Sequence, residues 1–205
     1  MDLMSIRRRL MMSFEKKYTP VKYIESTGTQ YIDTLFKVNQ DTRVVVDSEI
    51  TDYFKTGYYQ AIFGATTVSG YAETNRYTLH LSPSYKDIYI AYGNGGYRSN
   101  FRDVNKRNIY DLDKNTFKVN GSTIASTTQK TFQGTETLNI FRENNSNNQN
   151  NRYINMKLYS TKIYDNGVLI RDYIPVVDES SIPCLYDKVE DKFYYNQGTG
   201  EFLYE

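Results

Sequence analysis

The chain has 205 residues and a mass of 24.0 kDa, which suits one domain or one domain with an appendage. Its 25 basic and 24 acidic residues nearly cancel, so the net charge does not favour nucleic acid as a partner. The single cysteine and single histidine exclude an intrachain disulfide framework, cysteine-based zinc sites and histidine-rich metal sites. No apolar run reaches the roughly 20 residues of a membrane-spanning helix.

The first segment, residues 2–17, has a helical pattern. Its apolar residues recur at steps of three and four: Leu3, Ile6, Leu10 and Phe14. A helix this short is marginal alone in water, so we expect it to pack on another protein, on a second copy or on its own domain. The apolar stretch after the first arginines is too short for a signal peptide, and we expect none. We assign residues 1–21 to this helical anchor and linker, and residues 22–205 to the main domain.

From Tyr23 onward the sequence is typical of β-structure. Short runs rich in Val, Ile, Thr, Tyr and Phe are separated by Gly, Asn, Asp and Ser. In the run TRVVVDSEIT, the side chains of Val44, Val46 and Ile50 share one face. In the run YTLHLS, alternation puts His80 on the polar face.

Turn signals divide these runs at roughly 8–12-residue spacing. Asn120-Gly121 and Asn166-Gly167 predict two tight hairpins, because both turn positions accept positive φ. A third hairpin is expected near Glu190-Asp191. The asparagine-rich residues 143–152 predict a long polar loop between two strands. The whole pattern favours an antiparallel sandwich or barrel.

Four segments carry a family resemblance: VKYIESTGTQYIDT (21–34), IFGA (62–65), KLYSTKIYDNGVLIRDYIPV (157–176) and CLYDKVEDKFYYNQGTGEF (184–202). Together they resemble the laminin-G-like branch of the concanavalin A-like lectin/glucanase superfamily, in the version common in gut bacteria and their phages. The resemblance implies an all-β, two-sheet antiparallel jelly-roll sandwich, and a binding or structural module more often than an enzyme. It carries no ligand residues over to this chain. Cys184 stands where glycine is usual, and we expect a small buried residue there rather than a reactive thiol.

Glycoside hydrolysis is one of the functions found in this superfamily. The glucanase relatives place three acidic residues at alternate positions of one strand, so that two carboxyl groups flank one sugar bond. Here Asp47 and Glu49 share a face, but Val45 and Thr51 occupy the flanking positions. The set is one carboxylate short, which favours a solvated strand face and predicts that the chain is not an enzyme.

Calcium is the one cofactor that the sequence leaves open. Many relatives hold this hard cation with Asp and Asn oxygens in loops at the rim of the sandwich. The candidate ligands are Asp33, Asp103, Glu143, Asn144 and Asn145. The asparagines are neutral and no spacing links the acids, so a solvated asparagine-rich loop is the simpler interpretation.

Residues 85–102 combine tyrosines with asparagines and arginines in a loop-rich stretch. Sugars stack their C–H faces on aromatic rings, while their hydroxyl groups bond to polar side chains and backbone. The candidate carbohydrate-binding residues are Tyr85, Tyr89, Tyr92, Asn94, Tyr97, Arg98, Asn100 and Arg102. Tyrosines are also ordinary sheet residues, so packing is the alternative for each ring.

These observations predict a non-enzymatic surface module that contacts glycans, as a component of a phage virion or of a bacterial cell surface. Its N-terminal helix would bind other virion or surface proteins, or a second copy of the chain. A purely structural decoration or fibre subunit without a ligand is the main alternative. A glycoside hydrolase is the less favoured one.

Overall fold

Eighteen β-strands and no helix make up the part of the computed structural model that is described, residues 18–53, 58–69, 72–146 and 152–205. β-Branched and aromatic residues fill these strands because their side chains pack well on a pleated surface. The expected all-β antiparallel jelly-roll sandwich of two sheets is confirmed. The predicted N-terminal helix, with Leu3, Ile6, Leu10 and Phe14, lies outside the described residues.

In chain order the strands are β1 (Tyr18–Pro20), β2 (Ile24–Thr27), β3 (Ile32–Asn39), β4 (Thr42–Asp52), β5 (Gln60–Ser69), β6 (Ala72–Ser82), β7 (Asp87–Gly93), β8 (Gly95–Arg98), β9 (Asn108–Asp113), β10 (Thr116–Val119), β11 (Ser122–Ser126), β12 (Gln133–Ile140), β13 (Glu143–Asn145), β14 (Asn155–Asp165), β15 (Val168–Asp178), β16 (Pro183–Asp187), β17 (Lys192–Tyr194) and β18 (Leu203–Tyr204).

The strands form two sheets. Sheet A has the order β11–β10–β9–β4–β14–β15–β16–β17, with β1 beside β15, β2 beside β14 and β18 beside β2. Sheet B has the order β3–β12–β5–β6–β7–β8, and β13 runs parallel to β5. Because β1 pairs with β15, the sandwich begins by Tyr18, ahead of the boundary expected at residue 22.

The core lies between the two sheets. In β4, Val44, Val46 and Ile50 are buried at alternate positions, which confirms the predicted face. Inward-facing Leu79 and Ile90 of sheet B belong to the same apolar cluster. Burial of these large apolar side chains is the main stabilising contribution to such a fold.

Buried tyrosines bond the two sheets together. Tyr77 Oη donates a hydrogen bond to the Thr42 carbonyl at 3.0 Å, and Tyr92 Oη donates one to the Gln40 carbonyl at 2.8 Å. Both carbonyls lie at the connection between β3 and β4. A buried phenol needs such an acceptor, so the bonds fix the relative positions of the sheets at this end.

The predicted hairpins are confirmed. Asn120 and Gly121 have φ of 50° and 82° between β10 and β11, and Asn166 and Gly167 have 47° and 79° between β14 and β15. These positive values at both central positions match the right-handed twist of the strands. The third hairpin joins β16 to β17, with Asp191 at φ 54°.

Candidate functional site

The face of sheet B that points away from sheet A carries the candidate site. Register across β6, β7 and β8 sets His80 opposite Tyr89, and Tyr89 opposite Arg98. Side chains alternate along a strand, so these three lie on the outer face. Their neighbours Leu79 and Ile90 point into the core.

Three rings lie in contact on this outer face, and we call Tyr59, His80 and Tyr89 the ring row. The His80 and Tyr89 rings are 5.0 Å apart at an angle of 10°, and the Tyr59 ring is 4.8 Å from His80. His80 is buried, Tyr89 is half-buried and Tyr59 is 37% exposed. The guanidinium Cζ of Arg152 lies 5.3 Å from the Tyr59 ring centre. The row therefore offers a partly exposed aromatic surface that is bordered by a cation.

Glycine makes room for one of these rings. A Cβ atom at Gly96 would overlap the Tyr89 hydroxyl group, so only glycine lets the ring lie across β8. At Gly64 a Cβ atom would come within 2.9 Å of Thr78 Cγ2 and 3.1 Å of Glu143 Cγ. Small residues beneath the outer face thus let large side chains lie close to the sheet.

An ion cluster adjoins the ring row. The Arg152 guanidinium pairs with the buried carboxylate of Glu143 and with Glu73, the latter at 2.9 Å. The Thr66 hydroxyl group also donates to Glu143. Burial raises the pKa of Glu143, and the charge of Arg152 and the bond from Thr66 oppose that increase. Arg152 is therefore held in place by two acids, with 15% of its side chain exposed.

His80 is a neutral member of the ring row at neutral pH. Burial lowers its pKa well below the ordinary value, and the positive charges of Arg152 and Arg76 lower it further. It faces the outer side, as alternation predicts, but Tyr59 and Tyr89 cover it. Its Nδ1 lies 3.3 Å from the Thr78 hydroxyl group.

Three of the predicted carbohydrate-binding residues lie on or beside this outer face: Tyr85, Tyr89 and Arg98. Arg98 pairs with the buried carboxylate of Asp87, and its Cζ lies 3.4 Å from the Tyr85 ring centre. Tyr85 remains 59% exposed. The stacked pair continues the ring row along β7 and β8 toward the end of the sandwich.

Two other predicted residues face the wrong way. Tyr92 is fully buried, and Tyr97 packs against the core with its hydroxyl group bonded to the Asn115 carbonyl at 3.0 Å. Both rings occupy inner positions of their strands, so the structure contradicts their assignment to a sugar surface. Their side chains are used to join the sheets.

The remaining polar candidates lie in loops. Asn94 is exposed at the β7–β8 turn, and its Oδ1 accepts a bond from the Asn75 backbone at 3.2 Å. Asn100 and Arg102 are exposed in the segment that follows β8. Arg102 lines a pocket, while the structure gives Asn94 and Asn100 no place on the ring row.

That pocket has a volume of about 510 Å³ and opens at the end of the sandwich. It is lined by Tyr53, Ser84, Tyr85, Lys86 and Arg102. Tyr53 follows β4, and Arg102 comes after β8. The β6–β7 turn contributes Ser84, Tyr85 and Lys86. We call it the Tyr85 pocket.

The calcium candidates do not form one site. Asp33 lies in β3 at one edge of sheet B, whereas Asp103 follows β8, the opposite edge strand. Glu143 and Asn145 belong to β13 rather than to a loop, and the Asn144 amide donates to the Thr137 carbonyl at 2.9 Å. Across residues 18–53, 58–69, 72–146 and 152–205, no three acidic, histidine or cysteine side chains are grouped as a metal would need.

The acids considered for hydrolysis have structural partners. Asp47 accepts two bonds from the Arg107 guanidinium, each at 2.7 Å, and Glu49 accepts one from the Tyr159 hydroxyl at 3.1 Å.

Cys184 is buried, and burial raises the pKa of its thiol to about 12. A thiol with that pKa stays protonated at neutral pH.

Sequence reasoning missed Tyr59, Glu73, Arg76 and Arg152. Tyr59 precedes β5, and the Tyr58-Tyr59 pair next to a buried strand was the available signal. No sequence signal indicated the ion cluster, because its members come from β6, β13 and the chain before β14. Only the fold brings them together.

Comparisons with known proteins give the fold but no family. No protein-family model matches the sequence. No curated protein matches it either. A solved structure of a candidate carbohydrate-binding protein from Bacteroides ovatus matches 91% of this chain, with a TM-score of 0.60 and 12% sequence identity. This chain covers 60% of the length of that protein, and at such low identity the similarity supports the two-sheet sandwich fold alone.

None of the described residues forms a helix that is long and apolar enough to cross a bilayer.

Proposed function

We propose that this chain is a non-enzymatic glycan-binding module of the laminin-G-like type, and that the ring row with Arg152 is its contact surface. The partial exposure of stacked rings on an open sheet face carries the proposal. The candidate carbohydrate-binding protein with the same fold supports it.

The chemistry of the surface suits a sugar. A pyranose has one face rich in C–H groups, which packs on aromatic rings, and hydroxyl groups that need hydrogen-bond partners. Tyr59 and Tyr89 offer ring surface, and Arg152 offers N–H donors beside them. Because Arg152 is already held by Glu73 and Glu143, a ligand would not have to order it.

The acids of the outer face support binding rather than hydrolysis. The carboxylate of Glu143 is buried behind Arg152, where a water molecule and a sugar bond could not both reach it. A general acid or base must lie within hydrogen-bond reach of its substrate. We therefore expect a bound glycan to be recovered intact after long incubation with the protein.

A glycan array with the full chain tests the proposal. Tyr59→Ala and Tyr89→Ala should weaken binding while the circular dichroism spectrum stays that of a β-protein. The matched control is Tyr159→Ala, a half-buried tyrosine on the outer face of sheet A that also stacks on an arginine, Arg107 at 3.7 Å. Equal losses in all three variants, or none in the first two, would contradict the assignment.

We propose a surface location for this module, as a component of a phage virion or of a bacterial cell surface. Glycan recognition is useful where a particle or a cell meets its environment, and residues 1–17 precede the sandwich as the segment for attachment. Antibody detection of the protein in purified phage particles and in cell-surface fractions tests this. Recovery in the soluble cell contents alone would contradict it.

A further inference from the structure

The Tyr85 pocket has the size of a small-ligand site. Its volume of about 510 Å³ falls within the range of roughly 300–1,000 Å³ that is usual for ligand pockets. Two of its walls are tyrosine rings, Tyr53 at 45% exposure and Tyr85 at 59%. One or two sugar rings would fit such a space.

The charge of the pocket is one-sided. Lys86 and Arg102 line it, and none of the described residues in its wall is acidic. Within the described parts of the chain, neither of these two cations forms an ion pair, whereas neighbouring Arg98 pairs with Asp87 and Lys106 with Asp103. No ion pair among the described residues therefore neutralises these two charges.

The cations of a second cleft are paired, in contrast. Arg43 and Lys114 line this smaller cleft of about 270 Å³. There Arg43 bonds to Asp111 at 2.8 Å, and Lys114 to Asp41 at 2.9 Å. The Tyr85 pocket differs from that cleft in the free charge of its cations.

The main ring of the pocket is held in position before any ligand arrives. The Arg98 guanidinium lies against Tyr85 at 3.4 Å, and the buried Asp87 carboxylate fixes Arg98 in turn. A ring that is already ordered costs little entropy on binding. Arg98 is also the cross-strand neighbour of Tyr89, so the pocket continues directly from the ring row.

We propose that the Tyr85 pocket binds the anionic unit of an acidic saccharide, an inference that rests on the glycan binding proposed above. The tyrosine rings contact the C–H face of the sugar. Lys86 and Arg102 pair with its charged group, a carboxylate in a uronic acid or a sulfate ester. Neutral units of the same glycan lie on the ring row.

Matched pairs of probes test the proposal by calorimetry. Oligogalacturonate is compared with its uncharged methyl ester, and sulfated dextran oligosaccharides with unsulfated ones. The charged member of at least one pair should bind the wild-type chain roughly tenfold more tightly, and added salt should reduce this difference. The pair that shows the preference distinguishes a carboxylate from a sulfate ligand.

The double variant Lys86→Gln/Arg102→Gln removes the charge at exposed positions and should abolish the preference, so that it binds the charged and the neutral member of each pair equally. Its control is Lys157→Gln/Lys192→Gln, the same change of charge on sheet A. Equal affinities of the wild-type chain for charged and neutral probes would overturn the acidic-saccharide assignment, and so would equal effects of the two double variants. Neither result would contradict the ring row as a glycan contact surface. If no probe of either kind binds the wild-type chain, the acidic-saccharide assignment fails, and the glycan array decides separately whether the chain binds another glycan.

Discussion

The two faces of sheet B use the same residue type in different ways. On the inner face, Tyr92 and Tyr97 are covered by the opposing sheet, and their hydroxyl groups bond to backbone carbonyls at 2.8 and 3.0 Å. On the outer face, Tyr59 and Tyr89 both lie against the His80 ring, and their own rings are 6.4 Å apart.

The difference lies in what holds each ring. A backbone carbonyl in a turn is fixed by the fold, so the inner tyrosines are structural parts of the core. The outer rings are held by stacking and by an arginine whose charge is shared between two acids. On the proposal that the outer rings bind a glycan, the binding residues are separate from the residues that hold the two sheets together.

The largest predicted effect separates the two faces directly. Tyr92→Ala should destabilise the fold by about 3–5 kcal/mol, because it leaves a cavity in a packed core and removes a bond between the sheets. Tyr89→Ala, at a half-buried position two residues beyond Asp87, should cost only about 1–2 kcal/mol. Urea denaturation curves of the full chain measure both values.

Binding should follow the opposite order in that pair of variants. At a temperature where both are folded, glycan affinity should fall for Tyr89→Ala and remain for Tyr92→Ala. If Tyr89→Ala proves as destabilising as Tyr92→Ala, the outer face is part of the core and the distinction drawn here is wrong.

The second prediction concerns the buried ion cluster. Arg152→Ala leaves the fully buried carboxylate of Glu143 without its cation. A buried charge without a partner is costly, and we expect a loss of about 2–3 kcal/mol, somewhat below a fully buried pair because 15% of the Arg152 side chain is exposed.

An exposed arginine on the other sheet provides the control for that cluster. Arg107 bonds to Asp47 through two atoms, but 53% of its side chain is exposed. Arg107→Ala should therefore cost less than about 1 kcal/mol. Denaturation midpoints that shift equally in the two variants would show that the cluster is an ordinary surface network.

Local rules in the sequence predicted much of the fold. Asn-Gly pairs require a two-residue turn, so the hairpins at residues 120–121 and 166–167 followed from backbone sterics alone. Alternation in β4 predicted the buried face correctly. Alternation in DIYIAYG also separates Tyr89 from Tyr92, and strict use of it would have removed Tyr92 from the sugar-binding candidates.

Pairing between distant strands was beyond those rules. Gly28, at φ 107°, lies between β2 of sheet A and β3 of sheet B, so the chain crosses from one sheet to the other at this turn. Pro175 lies inside β15, where the neighbouring strand changes from β14 to β1, and its carbonyl accepts a bond from the Val21 backbone at 3.1 Å. Which strand lies beside Pro175 depends on pairing between distant segments.

A smaller effect is expected from the glycine beneath the ring row. Gly96→Ala should displace the Tyr89 ring, because the new methyl group would overlap its hydroxyl group. We expect a stability loss of about 1–2 kcal/mol together with weaker glycan binding. Gly95→Ala is the matched control, since its added Cβ would meet only the Tyr92 carbonyl oxygen at 3.6 Å. Indistinguishable binding by the two variants would show that the orientation of Tyr89 does not matter.

The smallest effect is a pH dependence that arises from His80. Its pKa in the folded chain lies well below the ordinary value of 6.5, chiefly because of burial. Above pH 6.5 the ring is mainly neutral in both the folded and the unfolded chain, so it adds little to the change of unfolding free energy with pH. Below pH 6.5 the unfolded chain takes up a proton that the folded chain does not, so the free energy of unfolding should decrease by at most about 1.4 kcal/mol per pH unit. Glu143 acts in the opposite direction in more acid solution, since its raised pKa lets the folded chain bind a proton above pH 4.5.

The variant His80→Phe tests this prediction, because it keeps a ring against Tyr59 and Tyr89 but cannot titrate. The difference in unfolding free energy between wild type and His80→Phe, measured from pH 7.5 to 5.5, should therefore be constant above pH 6.5 and change steadily below it. A difference that stays constant over the whole range would mean that His80 is protonated in the folded chain, and so is not shielded by its two tyrosines.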